Sequence, residues 1–477
     1  MRKYLFSLLI FILINSTAWS QVNKYDIKIK INNSDDQKVL LVSYYGSSNK
    51  IIDTAFVKAK GEFEFKGDKA LVGGMYLIVL ENKKYFEFIV DKDQEFSLET
   101  DTKDLIGSMK VKGSKDNKDF YDLMFYMNKL QQKRSPLEKE LKAEGTTEER
   151  KKEIEKELKA IALEAIEYKE KYMQANPEAL FTIILKASKD PDIPKVLPKN
   201  DKGEPDSTYI YKYYRAHYFD NFDFADERLL HTRFYAQKIK TYWTKVIPQH
   251  PDTLIKEAIR IIDLAKPNKE TYKYCIWYFT YKAETSNIMG MDAVFVALGK
   301  RYYVSGEAYW VNEQVLKNMT KRINTLDRIL LGKPAPPMIM QNTDFKLESL
   351  YDVKANYTIV LFWDPDCGHC RTEIPRIKKW YDENAEKYGV KVFSVCSDTT
   401  VSKWKKSIKE FGIEDWVNVD GPRSISGNYH DSYDIISTPT LFLLDEKKMI
   451  LAKRLSDAQI TEFIERDFKR KQKEKKE

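Results

Sequence analysis

Cysteine is scarce in this sequence. Only four cysteines occur in 477 residues, at positions 275, 367, 370 and 396. Exported proteins of this size that are stapled by disulfides usually carry more, which argues against a disulfide framework. Two of the four, Cys367 and Cys370, are separated only by Gly368 and His369. The sparse use of cysteine therefore indicates a chemical role for this close pair.

Long apolar runs are also lacking after the first 20 residues. Basic residues at positions 2 and 3 precede an apolar stretch at residues 5–14, and a small-x-small pattern ends at Ser20. This arrangement predicts a secretory signal peptide over residues 1–20. The apolar stretch is shorter than the roughly 20 residues that a membrane-spanning helix needs. We therefore expect a mature chain that is soluble outside the cytoplasm, with no stable membrane insertion.

The sequence has no strong excess of one charge. The formal net charge is +8, and lysines and glutamates are interspersed along most of the chain. Proteins that bind nucleic acids gather their basic residues on one face or along one stripe. The sequence therefore argues against a nucleic-acid partner.

Apolar periodicity divides the mature chain into three regions. Residues 21–113 alternate apolar and polar side chains in short runs, which predicts antiparallel strands in a β-sandwich domain. Residues 114–329 show helical spacing, which predicts an all-α domain. The segment "LLGKPAPPM", rich in proline, marks a boundary before residues 330–477. There, strands and helices alternate, which predicts an α/β domain.

Two local signals refine the helical region. Gly145-Thr146-Thr147 predicts the break between the two helices of a hairpin. The segment "ANPEALFTIILKAS" predicts a helix that begins with Asn176 as its cap and Pro177 in its first turn. The many aromatic residues that follow are interpreted as a helix-packing core, with a peptide- or partner-binding groove as the alternative.

The pair in "LFWDPDCGHCRTEIP" follows a predicted strand and begins a predicted helix. A thiolate, not a thiol, attacks a disulfide. The unpaired N–H groups and the dipole at a helix N-terminus favour a negative sulfur at Cys367. Cys370 lies one turn further along, where it reaches the same sulfur but is less exposed. This spacing predicts that Cys367 attacks and that Cys370 resolves the mixed disulfide. A partly protonated His369 would favour the thiolate, and hence a more oxidising disulfide.

Two other interpretations of the pair stay open from the residues alone. A structural zinc site needs a second pair of ligands, and Cys275 and Cys396 have no partners at metal spacing. A purely structural disulfide in so tight a loop adds little constraint to the unfolded chain. We therefore predict redox exchange by the cysteines, with no metal and no organic cofactor. Cys275 and Cys396 are expected to be buried and inert.

Residues 330–470 resemble a thioredoxin-fold domain of the TlpA/ResA type, within the alkyl hydroperoxide reductase/thiol-specific antioxidant-like superfamily. The motifs that carry the resemblance are "GKPAPPM", "YTIVLFWDPDCGHC", the "RTEIP" that follows it, and "YDIISTPTLFLLDEKKMIL". A β-sandwich and a helical region ahead of such a domain resemble exported proteins of Gram-negative envelopes, in which the function of these two regions is unassigned.

The resemblance implies roles for individual residues. Cys367 would be the nucleophile and Cys370 the resolving cysteine. Pro439 matches the cis-proline that faces the active site in this fold, which is consistent with the near restriction of cis peptide bonds to proline. Thr438 would present its backbone to an incoming peptide, so Thr438 and Pro439 are predicted to bind substrate.

Three further residues are implied, and one departs from the family pattern. Glu373 matches an acidic residue that TlpA/ResA-like proteins place near the cysteines, where it would accept or relay a proton. Trp363 matches the tryptophan of the active-site approach and, with His369, is predicted to contact substrate. In many thioredoxins this tryptophan directly precedes the first cysteine, whereas here Asp364-Pro365-Asp366 intervenes. The Cys-Gly-His-Cys sequence resembles protein disulfide isomerase, which leaves the direction of electron flow open.

The sequence thus predicts a periplasmic thiol–disulfide oxidoreductase that reduces or isomerises disulfides in exported proteins. A membrane-bound electron donor is expected if it works as a reductase. One alternative is thiol peroxidase activity, although Asp364 replaces the threonine that peroxiredoxins place three residues before their cysteine. Another alternative is an envelope binding or scaffold protein, in which the upstream regions hold a partner and the thioredoxin module is ancillary.

Overall fold

The computed structural model of the protein describes residues 24–194, 198–199, 202–204 and 206–474. The predicted signal peptide lies outside these residues. Two compact units divide the chain between Tyr242 and Trp243. This division lies inside the predicted helical domain, and the predicted boundaries at 113/114 and 329/330 stay predictions. Within the described ranges, none of the helices combines the length and the apolar character that crossing a membrane requires.

The first unit begins with two four-stranded sheets. Their orders are β4-β1-β7-β8 and β3-β2-β5-β6. The strands are β1 (Tyr25–Asn32), β2 (Lys38–Tyr45), β3 (Ser48–Phe56), β4 (Glu62–Gly67), β5 (Gly74–Val79), β6 (Tyr85–Val90), β7 (Glu95–Asp101) and β8 (Lys110–Lys112). The alternating apolar residues face inward as predicted, with Ile27, Ile29 and Phe65 at most 1% exposed. The predicted β-sandwich is confirmed.

One strand pair differs from the sequence-based expectation of antiparallel strands. β1 and β7 run parallel, with Ile27 opposite Phe96 and Ile29 opposite Leu98. Alternation reports only which side chains face the core, and it is the same for either strand direction. The pairing is parallel because the chain passes through the second sheet before it returns beside β1.

Helices complete the first unit. They are α1 (Lys115–Leu141), α2 (Glu148–Ala175), α3 (Leu180–Ser188), α4 (Tyr209–His217), α5 (Glu227–Leu230) and α6 (Arg233–Thr241). Gly145 has a φ of +98°, which only glycine adopts readily, and Thr147 caps α2 by accepting from the Arg150 N–H. The predicted hairpin break is therefore confirmed. The predicted cap at Asn176 is wrong, since the Asn176 N–H donates to Tyr172 and ends α2.

The second unit joins helices to a seven-stranded mixed sheet. The helices before the sheet are α7 (Pro251–Ala265), α8 (Lys269–Glu284), α9 (Asp292–Leu298) and α10 (Glu313–Arg328). The sheet order is β10-β9-β13-β12-β11-β14-β15. Its elements are β9 (Ile339–Asn342), β10 (Leu347–Ser349), β11 (Tyr357–Trp363), α11 (Gly368–Tyr388), β12 (Val390–Cys396), α12 (Val401–Phe411), β13 (Val417–Ser424), α13 (Tyr429–Tyr433), β14 (Thr440–Asp445), β15 (Ile450–Lys453) and α14 (Asp457–Glu474).

β11 is an interior strand of this sheet, between β12 and β14. It runs parallel to β12 and antiparallel to β14, and all seven of its residues are buried. A continuous apolar run is typical of a strand that is covered on both faces. The strand therefore fixes the position of the chain that follows Trp363, at the carboxyl end of β11.

A buried ion pair attaches the helices to the sheet within the second unit. Lys453, at the end of β15, contacts the carboxylate of Asp292 in the first turn of α9. Its Nζ also donates to the carbonyl of Ile329 at 2.7 Å. The two side chains are only 8% and 16% exposed. Burial lowers the pKa of Lys453, and the carboxylate of Asp292 opposes this shift.

We predict that Asp292→Ala lowers the free energy of unfolding by about 3 kcal/mol, because it leaves a buried ammonium group without its counter-ion. Urea unfolding of the full chain, followed by circular dichroism, measures the change. Asp431→Ala is the matched control, since Asp431 pairs with Lys321 at 2.9 Å but is 57% exposed. The control should change stability by less than about 1 kcal/mol. Equal effects of the two variants would contradict the assignment.

Candidate active site

Cys367 lies where β11 gives way to α11. It is the residue that precedes the first helical residue, Gly368, and it has an extended backbone with φ −75° and ψ 115°. The Cys367 carbonyl accepts from the Arg371 N–H at 3.1 Å, which closes the first turn. The sulfur therefore stands beside the unpaired N–H groups at the start of a 21-residue helix.

The Cys367 sulfur is half-buried and hydrogen-bonded. Its thiol donates to the carbonyl of Thr438 at 3.2 Å. Partial burial acts to raise the pKa of Cys367, but hydrogen bonds from the side chains of Thr438 and Cys370 oppose it. The backbone N–H groups of Cys370 and His369 add to this opposition, and the net pKa is lowered. Cys367 therefore reaches the nucleophilic thiolate form at a lower pH than a free cysteine.

Cys370 has the opposite character. Its side chain is 0% exposed, and the Asp364 N–H donates to its sulfur at 3.5 Å. Burial raises the pKa of Cys370 to about 12, and the nearby Cys367 adds to the shift. No disulfide joins Cys367 to Cys370 in this structure, so the pair is in its dithiol form. A substrate disulfide can therefore contact the Cys367 sulfur but not the buried Cys370 sulfur.

The loop between Trp363 and Cys367 is fixed by Asp364, a residue that the sequence marked only as a departure from the family pattern. Its carboxylate accepts from the Asp366 N–H and from the Ser397 hydroxyl, both at 2.8 Å. Its backbone carbonyl accepts from the Cys367 N–H at 3.2 Å. Asp364 thus contacts the backbone or sulfur of both cysteines. The aspartate directly after an apolar strand, in an Asp-Pro-Asp turn, was the available signal.

The predicted substrate-binding pair lies opposite the nucleophile. Thr438 and Pro439 are half-buried, and the peptide bond between them is cis. The carbonyl of Thr438 faces the Cys367 sulfur, as the distance above shows. Their binding of a substrate stays a prediction.

His369 and Glu373 are placed on the same helix but differ in their surroundings. His369 is exposed, and it acts on Cys367 through its backbone N–H. Glu373 lies three residues after Cys370, so it is one turn further along the same side of α11. Its carboxylate accepts from Arg376 at 3.1 Å. The proton relay through Glu373 stays a prediction.

Trp363 lies beneath the site rather than at its surface. Its ring is 0% exposed, its Nε1–H donates to the Ser394 hydroxyl at 2.8 Å, and it packs edge-on against Phe411. A side chain with no exposed surface cannot touch a bound polypeptide. We therefore place Trp363 in the support of β11 and not among the substrate contacts that the sequence predicted.

The two isolated cysteines are both buried. Cys275 lies in α8 and Cys396 at the end of β12, each 0% exposed. Burial raises the pKa of Cys396 to about 12. Among the described residues, no group of three or more His, Cys, Asp or Glu side chains could hold a metal ion.

Three family models match parts of the chain. Residues 331–453 match the AhpC/TSA family. Residues 25–120 match a domain of unknown function, DUF4369, and residues 130–325 match another, DUF5106. The helical and strand-rich regions thus have relatives but no assigned activity.

Curated relatives match the region that holds the cysteine pair. Thiol-disulfide oxidoreductase ResA of Bacillus cereus is 26% identical over 131 residues, which are 28% of this chain and 73% of that protein. Its counterpart in Bacillus anthracis is 28% identical over 25% of this chain and 66% of that protein. Residues 331–453 thus match the AhpC/TSA family, and this part of the chain is similar to ResA-type thiol-disulfide oxidoreductases. The resemblance of residues 330–470 is therefore confirmed.

Solved structures resemble this oxidoreductase too. A domain of a possible thiol-disulfide isomerase from Cytophaga hutchinsonii is 36% identical, with a TM-score of 0.28, over 30% of this chain and 97% of that domain. A thioredoxin-like protein from Bacteroides caccae is 19% identical, with a TM-score of 0.44, over 58% of this chain and 97% of that protein.

The opposite pKa shifts of the two cysteines predict a selective alkylation of the oxidoreductase by iodoacetamide. Only thiolates react, so the rate at Cys367 should rise with pH and level off at a lower pH than for N-acetylcysteine. Cys370 should stay unmodified until the pH approaches about 12. Peptide mapping by mass spectrometry assigns the modified residue, and Cys367→Ser should abolish the early phase. Modification of Cys370 first would contradict the assignment.

Proposed function

We propose that the protein is a periplasmic thiol–disulfide oxidoreductase that reduces or isomerises disulfides in exported proteins. The observation that carries the proposal is the asymmetry of the pair. Cys367 is accessible and has a lowered pKa, whereas Cys370 is 0% exposed and has a raised one. The periplasmic location is supported by the signal-peptide pattern of residues 1–20.

The proposed reaction uses two exchange steps. The Cys367 thiolate attacks one sulfur of a substrate disulfide, forms a mixed disulfide and releases the other substrate sulfur as a thiolate, which takes up a proton. Cys370 then gives up its proton and attacks the Cys367 sulfur, which releases the second substrate thiol. The substrate gains two electrons and two protons, and the protein is left with a Cys367–Cys370 disulfide.

The raised pKa of Cys370 suits the resolving role. A thiol that stays protonated does not compete for the incoming disulfide, so attack begins at Cys367 alone. Once Cys367 is in a mixed disulfide, Cys370 gives up its proton and attacks the Cys367 sulfur. The bond from Cys367 to the substrate sulfur then breaks, so the substrate sulfur leaves as a thiolate and takes up a proton, while Cys367 stays joined to Cys370.

The remaining assignments follow from this mechanism. Thr438 and Pro439 would line the approach of the substrate chain to Cys367, and Glu373 would exchange a proton with the cysteines. A membrane-bound electron donor would reduce the Cys367–Cys370 disulfide when the protein acts as a reductase. As an isomerase, the protein would instead release a rearranged substrate and need no donor.

We predict that Cys370→Ala accumulates mixed disulfides with exported proteins, because Cys367 still attacks but nothing resolves the product. The variant, expressed with its own leader, is purified under non-reducing conditions after thiol blocking, and the captured proteins are released by dithiothreitol and identified by mass spectrometry. Cys367→Ala is the matched control and should capture nothing. Equal capture by both variants, or no capture by Cys370→Ala, would contradict the exchange mechanism.

A further inference from the structure

A cavity of about 470 Å³ lies in the second unit between its helices and its sheet. One wall comes from the connection between α8 and α9, including Ile288 and Met289, and the opposite wall comes from α13, β14 and α14. Cavities of this size are within the range that holds organic ligands or large side chains.

A single loop connects the lining of the cavity to the surroundings of Cys367. Tyr433, Asp434 and Phe442 line the cavity, and the chain between Asp434 and Phe442 carries Thr438. The carbonyl of Thr438 is the group that accepts from the Cys367 sulfur at 3.2 Å. A trans chain advances at most about 3.6 Å per residue, so the Cα atoms of Asp434 and Thr438 are at most roughly 14 Å apart. An extended polypeptide bound at Cys367 therefore reaches the cavity within a few residues.

The helical wall is held close to the same core as the nucleophile. Met289 packs against the core cluster of the sheet that includes Cys370, and Cys367 packs against that cluster as well. Ile288, next to Met289, is 49% exposed at the cavity wall. Ile436, on the loop before Thr438, is 69% exposed. Accessible apolar side chains thus occur both at the cavity wall and on the loop that carries Thr438.

The charges that line the cavity are paired with one another. Three acidic and three basic side chains are present, and each acid has a basic partner. The pairs are Asp292 with Lys453, Glu284 with Arg322 at 3.5 Å, and Asp434 with Arg454 at 3.4 Å. A charged ligand would have to separate one of these pairs, which is costly where the pair is buried. The lining therefore favours a neutral occupant, and Ile288, Met289 and Phe463 offer apolar contacts to it.

We propose that this cavity is a pocket for an apolar side chain close to the attacked cysteine of a non-native polypeptide. The inference rests on the proposed function and names its substrate class. Cysteines are usually buried among apolar residues in folded proteins, so their apolar neighbours become available mainly when the chain is unfolded or misfolded. The pocket would direct the oxidoreductase to such chains and away from disulfides in native surroundings.

The test uses the full mature chain, reduced beforehand, in single-turnover reactions that need no other reductant. The substrates are two peptides that each carry one cysteine as a mixed disulfide with glutathione. One peptide has leucine at the two positions on either side of the cysteine, and the other has serine there. Hydroxyethyl disulfide serves as a third substrate without side chains. Chromatography measures the second-order rate constant for loss of each disulfide.

The parent protein should react with the leucine peptide about tenfold faster than with the serine peptide, which is the scale of specificity that one buried apolar side chain provides. Ile288→Asp should bring the two rate constants within about twofold of each other. Ile288→Val should keep the tenfold preference. Val304→Asp is the matched control, since Val304 is 48% exposed and does not line the cavity.

The outcomes separate the two proposals. All four proteins should reduce hydroxyethyl disulfide at the same rate, which shows that the cysteine pair is intact. If the parent reduces it but does not prefer leucine, or if Ile288→Asp keeps the full preference, the pocket is overturned and the proposed function stands. If the reduced parent consumes none of the three disulfides, the proposed function itself fails.

Discussion

The hydrogen bonds that the Thr438 side chain and the amino end of α11 offer to the Cys367 sulfur set the chemistry of the candidate active site. They act against the partial burial that would otherwise hold the thiol protonated, and the balance leaves the pKa of Cys367 lowered. The same helix carries Cys370 one turn further into the core, where no such groups outweigh burial. The start of α11 thus carries two cysteines with opposite pKa shifts, because the surroundings change from half-buried to fully buried within one turn.

That first turn is useful only if it is held still. β11 delivers the chain to the sheet edge, and the Trp363 ring beneath it is fixed by Ser394. Ser397, directly after the neighbouring strand β12, donates its N–H to the Trp363 carbonyl and its hydroxyl to the Asp364 carboxylate. The sheet therefore positions the turn before Cys367 through hydrogen bonds as well as through packing. In this chain, Asp364 supplies the link between sheet and sulfur at a point where many thioredoxins place other residues.

Local sequence patterns predicted those parts of the structure that depend on neighbouring residues in the chain. Alternation identified the inward side of the strands around Ile27 and Phe65, and Gly145 identified the break in the hairpin. The partner of β1 was not predictable in this way, because strand direction depends on how the chain crosses between two sheets. Asn176 illustrates the same limit, since an asparagine before proline suits either the end of one helix or the start of the next. The Cys367/Cys370 spacing was visible in the sequence, whereas the wall formed by Ile288 depends on contacts between residues far apart in the chain.

The buried pair of Lys453 and Asp292 shows what the helices of the second unit contribute. An apolar pair of similar volume would hold α9 against β15 as well or better, since removing two charges from water is costly. The charged pair tolerates less displacement than an apolar pair would, because a shift of α9 along β15 would leave a buried charge without its partner. We infer that the pair favours one register of α9 on the sheet. With α9 in one register, the helical wall of the cavity presents the same lining to every chain that approaches Cys367. A constant lining is the condition for selecting substrates by shape and polarity rather than by the reactivity of their disulfides.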